Sequence, residues 1–227
     1  MEHSTMNQAQ TTYVIVGGTS GIGAALAKQI RADGHIVHIA SRQTGLDISQ
    51  EQSIYRYFES VGAFDHLVIT AGSSAPAGKV VDVAIDDAKS AFDTKFWGTV
   101  CTIKHAARYI KSAGSITLTT GMLSRKVVAN TYTKTAINAA LEAVTKVLAK
   151  ELAPIRVNAI SPGLTDTPAY QHLSDSDRSK MFSQASEQLP AGQIGSPQEI
   201  AQAYRFAIDN PFVTGSIIDI NGGALVS

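Results

Sequence analysis

The sequence predicts an α/β domain built on one doubly wound parallel sheet with helices on both faces. Three observations point there. Short apolar, β-branched runs alternate with longer helical patterns along the whole chain. Some of these runs, such as His35–Ala40, are almost continuously apolar, which suits parallel strands buried on both faces. The first run ends in a glycine cluster, Gly17 to Gly23, that opens a helical pattern.

The elements follow in order. Tyr13–Val16 reads as a strand. Gly21–Ala32 reads as a helix, because Ile22, Leu26 and Ile30 recur on one face, and Gly34 closes it. His35–Ala40 is a second strand. A helix from Ser49 or Gln50 to Val61 and a strand His66–Thr70 follow. Asp82–Lys111 holds a long helix beginning near Asp86. Ser115–Thr119 is a strand, and Asn130–Leu152 is a long amphipathic helix stopped by Pro154. Ile155–Ile160 is a strand stopped by Ser161-Pro162-Gly163. Pro197 suits the first position of a helix Pro197–Asp209, and Ser216–Ile220 is the last strand. Residues 168–190, Tyr170–Gln188 above all, lack strand character and read as a helical lid over a substrate. The 227 residues fit one domain, and residues 1–11 read as a flexible leader.

Composition narrows the function. With 44% hydrophobic and 17% charged residues, the chain reads as an ordinary globular domain. Nineteen Lys and Arg balance nineteen Asp and Glu, so no global field favours nucleic acid or an acidic membrane surface. No run approaches the ~18 apolar residues of a membrane span, and the polar leader has no secretory core. The single Cys101 excludes an internal disulfide, and no Cys or His spacing suggests a metal. A cytoplasmic setting is expected.

The glycine cluster carries the chemistry. Gly17 permits a tight turn, Gly21 lets backbone approach a pyrophosphate, and Gly23 allows close helix–strand packing. The pyrophosphate would rest on the helix N-terminus, where free N–H groups favour anions. Further motifs lie downstream: Thr70-Ala71-Gly72 after a strand, Asn158-Ala159-Ile160-Ser161-Pro162-Gly163, Thr167, and Thr214-Gly215 with Asp219-Ile220-Asn221-Gly222-Gly223. With the G-x-x-x-G-x-G spacing of the loop, these make the chain resemble the short-chain dehydrogenase/reductase family along almost its whole length. Val16 replaces the family's usual Thr, and Ile69-Thr70 replace two Asn.

That resemblance implies a Rossmann-like sheet, a nicotinamide dinucleotide, a small-molecule carbonyl or alcohol substrate, and a homodimer or homotetramer. It places Gly17, Thr19, Ser20, Gly21, Ile22, Gly23, Thr70, Ala71 and Gly72 on the cofactor. Pro162, Gly163, Leu164 and Thr167 are placed beside the nicotinamide. The second strand ends in Ala40-Ser41-Arg42, where NAD-binding versions carry an acidic residue for the ribose 2′-OH. Ser41 takes that place, and the Arg42 guanidinium can pair with a 2′-phosphate. NADP(H) is therefore favoured over NAD(H). Leu46-Asp47-Ile48 reads as the stub of a strand, with Asp47 and Ile48 near the adenine.

The family's acid is a Tyr, helped by a Lys four residues later, a Ser and an Asn. Lys134 corresponds to that Lys, which puts Asn130 at the acid position. Tyr132 is two residues from Lys134, ~200° around a helix, and faces away from it. Thr120 or Ser124 falls near the Ser, and Lys95 occupies the Asn position. Near Lys134, Lys95 would have a lowered pKa and serve as acid or base. The candidate catalytic set is thus Lys95, Thr120, Asn130, Tyr132 and Lys134. The expected function is an NADP(H)-dependent oxidoreductase. A non-redox NADP(H)-binding protein and a non-redox catalyst remain open alternatives. Ser73–Gly78, Met122–Val128 and the lid would line the substrate pocket, with Arg125 and Lys126 as anion contacts.

Overall fold

The computed structural model describes residues 10–72 and 74–227. Most of the predicted leader, and Ser73 of the predicted pocket, lie outside the described residues. Six parallel strands form one sheet in the order β2-β1-β3-β4-β5-β6. They are β1 (Thr12–Val16), β2 (Ile36–Ala40), β3 (Phe64–Ile69), β4 (Ile110–Thr119), β5 (Arg156–Pro162) and β6 (Ile217–Ile220). The helices are α1 (Gly21–Ala32), α2 (Glu51–Val61), α3 (Ile85–Phe92), α4 (Gly98–Ala106), α5 (Tyr132–Glu151), α6 (Asp175–Gln188) and α7 (Pro197–Asp209).

The two-residue period of β1 divides the core. Val14 and Val16 point to one face and pack with Ile54 and Phe58 of α2 and Ile103 and Ala106 of α4. Tyr13 and Ile15 point to the other and pack with Leu26 and Ile30 of α1 and Ile200 and Tyr204 of α7. Helices therefore cover both faces, as the fully apolar strands predict. Tyr204 is buried whole, and its hydroxyl lies 2.5 Å from that of Thr119.

Three differences from the sequence reading matter for the site. Residues 46–48 form no strand. A 3-10 turn at Arg42–Thr44, closed by Gly45 in the left-handed region, runs straight into a segment whose Leu46 is buried in the core. The long helix predicted within Asp82–Lys111 is interrupted at Asp93–Trp97 by a π-helical turn between α3 and α4. And α5 starts at Tyr132, not Asn130. Asn130 is the one described non-glycine residue with a left-handed φ, +67°, and its carbonyl accepts from the Gly78 amide. A residue in that conformation cannot belong to a right-handed helix.

Candidate dinucleotide site

The chain leaves β1 toward β2 on one side and β3 on the other, so strand order reverses at β1. Ligands of open α/β sheets bind beyond the strand ends at such a point. The register sets Val16 beside both Ala40 and Ile69, which brings Gly17, Ser41 and Thr70 together. A cavity of about 660 Å³ opens there, lined among others by Gly17, Thr19, Ser41, Arg42, Asp47 and Gly72.

The glycines of the loop are required by space. Gly17 has φ +86°, and a Cβ there would sit 2.7 Å from the Ala71 amide nitrogen. A Cβ on Gly23 would sit 2.5 Å from both the Gly17 carbonyl oxygen and Thr70 Oγ1. The Thr70 hydroxyl donates to the Val16 and Gly17 carbonyls, at 3.1 Å each, and so pins the turn to β3. Ser20 caps α1 in an extended conformation with no side-chain bond to the helix. The first-turn amides of Ile22 and Gly23 therefore have no side-chain cap, and free amides at a helix start suit an anion. This is a cradle that a Cβ would fill, and it fits a pyrophosphate.

On the adenine side, Arg42 opens the 3-10 turn just after β2, and no carboxylate occupies the strand end. Asp47, five residues after Arg42, lines the same cavity. Its carboxyl accepts from the Ser49 hydroxyl and amide, which hold it below the usual carboxylate range. Ile48 plays a packing role as well: Gly98 of α4 lies against its carbonyl, where a Cβ would sit 2.7 Å away.

Beyond β5, the segment Pro162–Thr167 returns over the loop. Gly21 lies in contact with Thr167, a Cβ there being 3.4 Å from the Thr167 side chain. Gly163 is needed for close approach to Asn221, and its amide donates to the Ile220 carbonyl. The Leu164 carbonyl accepts from Gly195. The predicted lid is a helix over part of its length, α6, with no buried residue. Tyr170 and Phe182 meet edge-on above a contact between Arg178 and Asp166.

The predicted catalytic set does not come together as expected. Asn130 lies outside α5, so it shares no helix face with Lys134. Tyr132 lines a separate cavity of about 550 Å³ with Gly78, Val80 and Leu123, where its buried hydroxyl has no partner among the described residues. Thr120 donates to the Ile160 carbonyl and reaches Glu142 at 3.4 Å, while Ser124 donates to Glu142 at 2.6 Å. Both hydroxyls are thus engaged by one nearly buried carboxylate. Arg125 is no free anion contact: it pairs in bidentate fashion with Asp219, 2.6 Å to each oxygen. Lys126 bonds to the Ser227 hydroxyl. Lys134 is exposed.

Lys95 is buried, and its Nζ donates to the Ala71 carbonyl at 2.5 Å. Its pKa is lowered to about 8, and the cause is burial alone. The expected repulsion from Lys134 plays no part. Two residues that the sequence reading passed over sit beside the end of β4: Asn138, whose side chain fills the space where Gly121 lacks a Cβ, and Glu142. Lys134, Asn138 and Glu142 recur at i, i+4 and i+8 on α5. That polar stripe was the signal available for them.

The comparisons agree with this architecture. The family model described as enoyl-(acyl carrier protein) reductase matches residues 41–224. A short-chain dehydrogenase/reductase of Stachybotrys chlorohalonatus is 32% identical, over 95% of this chain and 97% of its own. Carbonyl reductase family member 4 of Danio rerio is 31% identical, over 92% and 96%. Among solved structures, a small-chain dehydrogenase in complex with NADPH is 66% identical, with a TM-score of 0.94 over 96% of this chain and all of that one. A six-stranded parallel sheet with a glycine-rich turn at its switch point, matched end to end in sequence and structure, places the chain in the short-chain dehydrogenase/reductase family of oxidoreductases.

Proposed function

We propose that the protein is an NADP(H)-dependent oxidoreductase that moves a hydride between the cofactor and a small carbonyl or alcohol substrate. The observation that carries the cofactor choice is the end of β2, where Ser41 and Arg42 line the cavity at the strand end itself, and the cavity's carboxylates, Asp47 and Asp87, come from later segments of the chain. A guanidinium there pairs with a 2′-phosphate and stacks on adenine. The NADPH bound to the 66% identical dehydrogenase supports the same choice. Gly17, Thr19, Ser20, Gly21, Ile22 and Gly23 hold the pyrophosphate, and Ser41, Arg42, Asp47 and Ile48 surround the adenine ribose. Thr70, Ala71, Gly72, Pro162, Gly163, Leu164, Thr167 and Lys134 face the nicotinamide half. When bound, the cofactor supplies the hydride, and α6 covers the substrate. The protein works in the cytoplasm as a homodimer or homotetramer, and the exposed Trp97 and Val147 offer apolar surface for assembly.

The test is titration of the protein with NADPH and NADH, followed by turnover against a panel of aldehydes and ketones. NADPH binding at least tenfold tighter than NADH, with NADPH consumption on some carbonyl, is expected. Equal affinity would overturn the cofactor choice. A second reading, an NADP(H)-binding protein without redox turnover, is favoured by one observation: the hydroxyls of Thr120 and Ser124 are both engaged by Glu142. NADPH binding with no consumption across the panel would select it.

A further inference from the structure

We infer that Lys95 is a positioning residue of the dinucleotide groove, a buried ammonium that braces the Ala71-Gly72 wall against the glycine-rich turn. The inference rests on the reading of that groove as a dinucleotide site.

The π turn at Asp93–Trp97 centres on Lys95. An extra residue in one helical turn rotates the side chains around it, and such turns gather at functional sites. Here the rotation leaves a lysine buried, at 7% exposure, with its Nζ on the Ala71 carbonyl. Ala71 and Gly72 line the cavity. The Ala71 amide nitrogen is the atom that a Cβ on Gly17 would strike. Thr70, one residue earlier, ties β3 to the Val16 and Gly17 carbonyls. The phosphate turn therefore leans on a backbone step held from one side by the Thr70 hydroxyl and from the other by the Lys95 ammonium.

Charged groups lie on the elements packed around Lys95: Asp87 and Lys89 of α3, Asp93 in the π turn, Asp47 before α2, Lys104 of α4, and Lys134 and Glu142 of α5. None forms an ion pair with Lys95 among the described residues. Glu142 and Lys104 are engaged elsewhere. Burial lowers the ammonium to about 8. The brace is therefore charged below that pH and is lost as pH rises through it. A neutral amine is a far weaker donor to a carbonyl than an ammonium is.

The experiment follows the Gly72 amide by 15N NMR in ligand-free protein from pH 6.5 to 9.5. Its nitrogen is bonded to the carbonyl that Lys95 holds. A transition near pH 8 is expected in the wild type, and a flat profile in Lys95→Met. In parallel, the wild-type Kd for NADPH should weaken about tenfold between pH 7 and 9.5, the scale of one hydrogen bond to a charged group. Lys95→Met should show the weaker value throughout. A wild-type Gly72 signal that does not move across this range overturns the brace, and decides the matter even if the variant fails to fold. So does a folded variant that keeps the wild-type Kd and its pH profile. If the Gly72 signal titrates and NADPH binds at no pH, the brace stands and the dinucleotide reading falls.

Discussion

Gly23→Ala tests the phosphate loop with one methyl group. The new Cβ would lie 2.5 Å from the Gly17 carbonyl oxygen and from Thr70 Oγ1, where ordinary contact begins at 3.4 Å. Neither atom can yield cheaply. The first is backbone in a left-handed turn whose amide is tied to the Ala40 carbonyl at 2.9 Å. The second is a hydroxyl placed by two carbonyls. Overpacking of this kind costs about 1–3 kcal/mol, and displacing Thr70 weakens bonds worth about 1 kcal/mol each. A total of about 2–4 kcal/mol corresponds to a fall in Tm of about 5–12 °C for a chain this long. Because the clash separates α1 from the turn, NADPH affinity should fall by more than tenfold. Calorimetric titration and thermal melts of the two proteins measure both. A variant within 2 °C of wild-type Tm, with its NADPH Kd within twofold, would refute the view that the loop is close-packed for an anion.

Three further outcomes follow from the same geometry. Arg42→Asp places a carboxylate at the end of β2; NADPH binding should weaken about thirtyfold or more while NADH binding strengthens, and unchanged relative affinities would remove Arg42 from the site. Glu142→Ala strips the acceptor from Ser124 and Thr120 and one partner from Arg125; Tm should fall by about 3–9 °C, and a shift under 1 °C would show that the network carries no stability. Burial lowers the His66 pKa to about 4, and Ser115 lies 2.9 Å from its Nδ1. The unfolded chain then binds a proton that the folded chain refuses. Stability is complete above about pH 6.5 and declines as pH falls toward 4, by up to about 3 kcal/mol. Urea unfolding at pH 7.5 and 5.0, with and without His66→Gln, measures the difference; equal declines in the two proteins would assign it to other groups.

What the sequence disclosed and what it withheld divide along a physical line. Most strands and helices are announced by local pattern: the apolar run at Tyr13–Val16, the four-residue recurrence of Ile22, Leu26 and Ile30, the proline at the first turn of α7. The glycine loop is legible for the same reason, since a turn, a close approach and a helix start all leave marks within seven residues. The local structure around the candidate catalytic residues was less legible, because it depends on distant contacts. Asn130 reads as helical by sequence, but the Gly78 amide, 52 positions away, bonds its carbonyl outside the helix. Lys95 carries no local sign that its partner is a carbonyl 24 residues earlier. Nor does the sequence near Thr120 and Ser124 show that both hydroxyls meet Glu142, 22 and 18 residues later.

The consequence for the chemistry is specific. The hydroxyls of Thr120 and Ser124 both bond Glu142, while that of Tyr132 lies at a separate cavity. The polar groups left along that face are Lys134 and Asn138 on α5, and Lys95 behind the Ala71 carbonyl. Of these only Lys134 is exposed, and burial lowers the Lys95 pKa to about 8. If turnover moves a proton as well as a hydride, a lysine and water that reaches the groove are two sources to be told apart. Substituting each lysine in turn while following solvent isotope effects on NADPH consumption would separate the two sources: an effect that survives both Lys95→Met and Lys134→Met belongs to water.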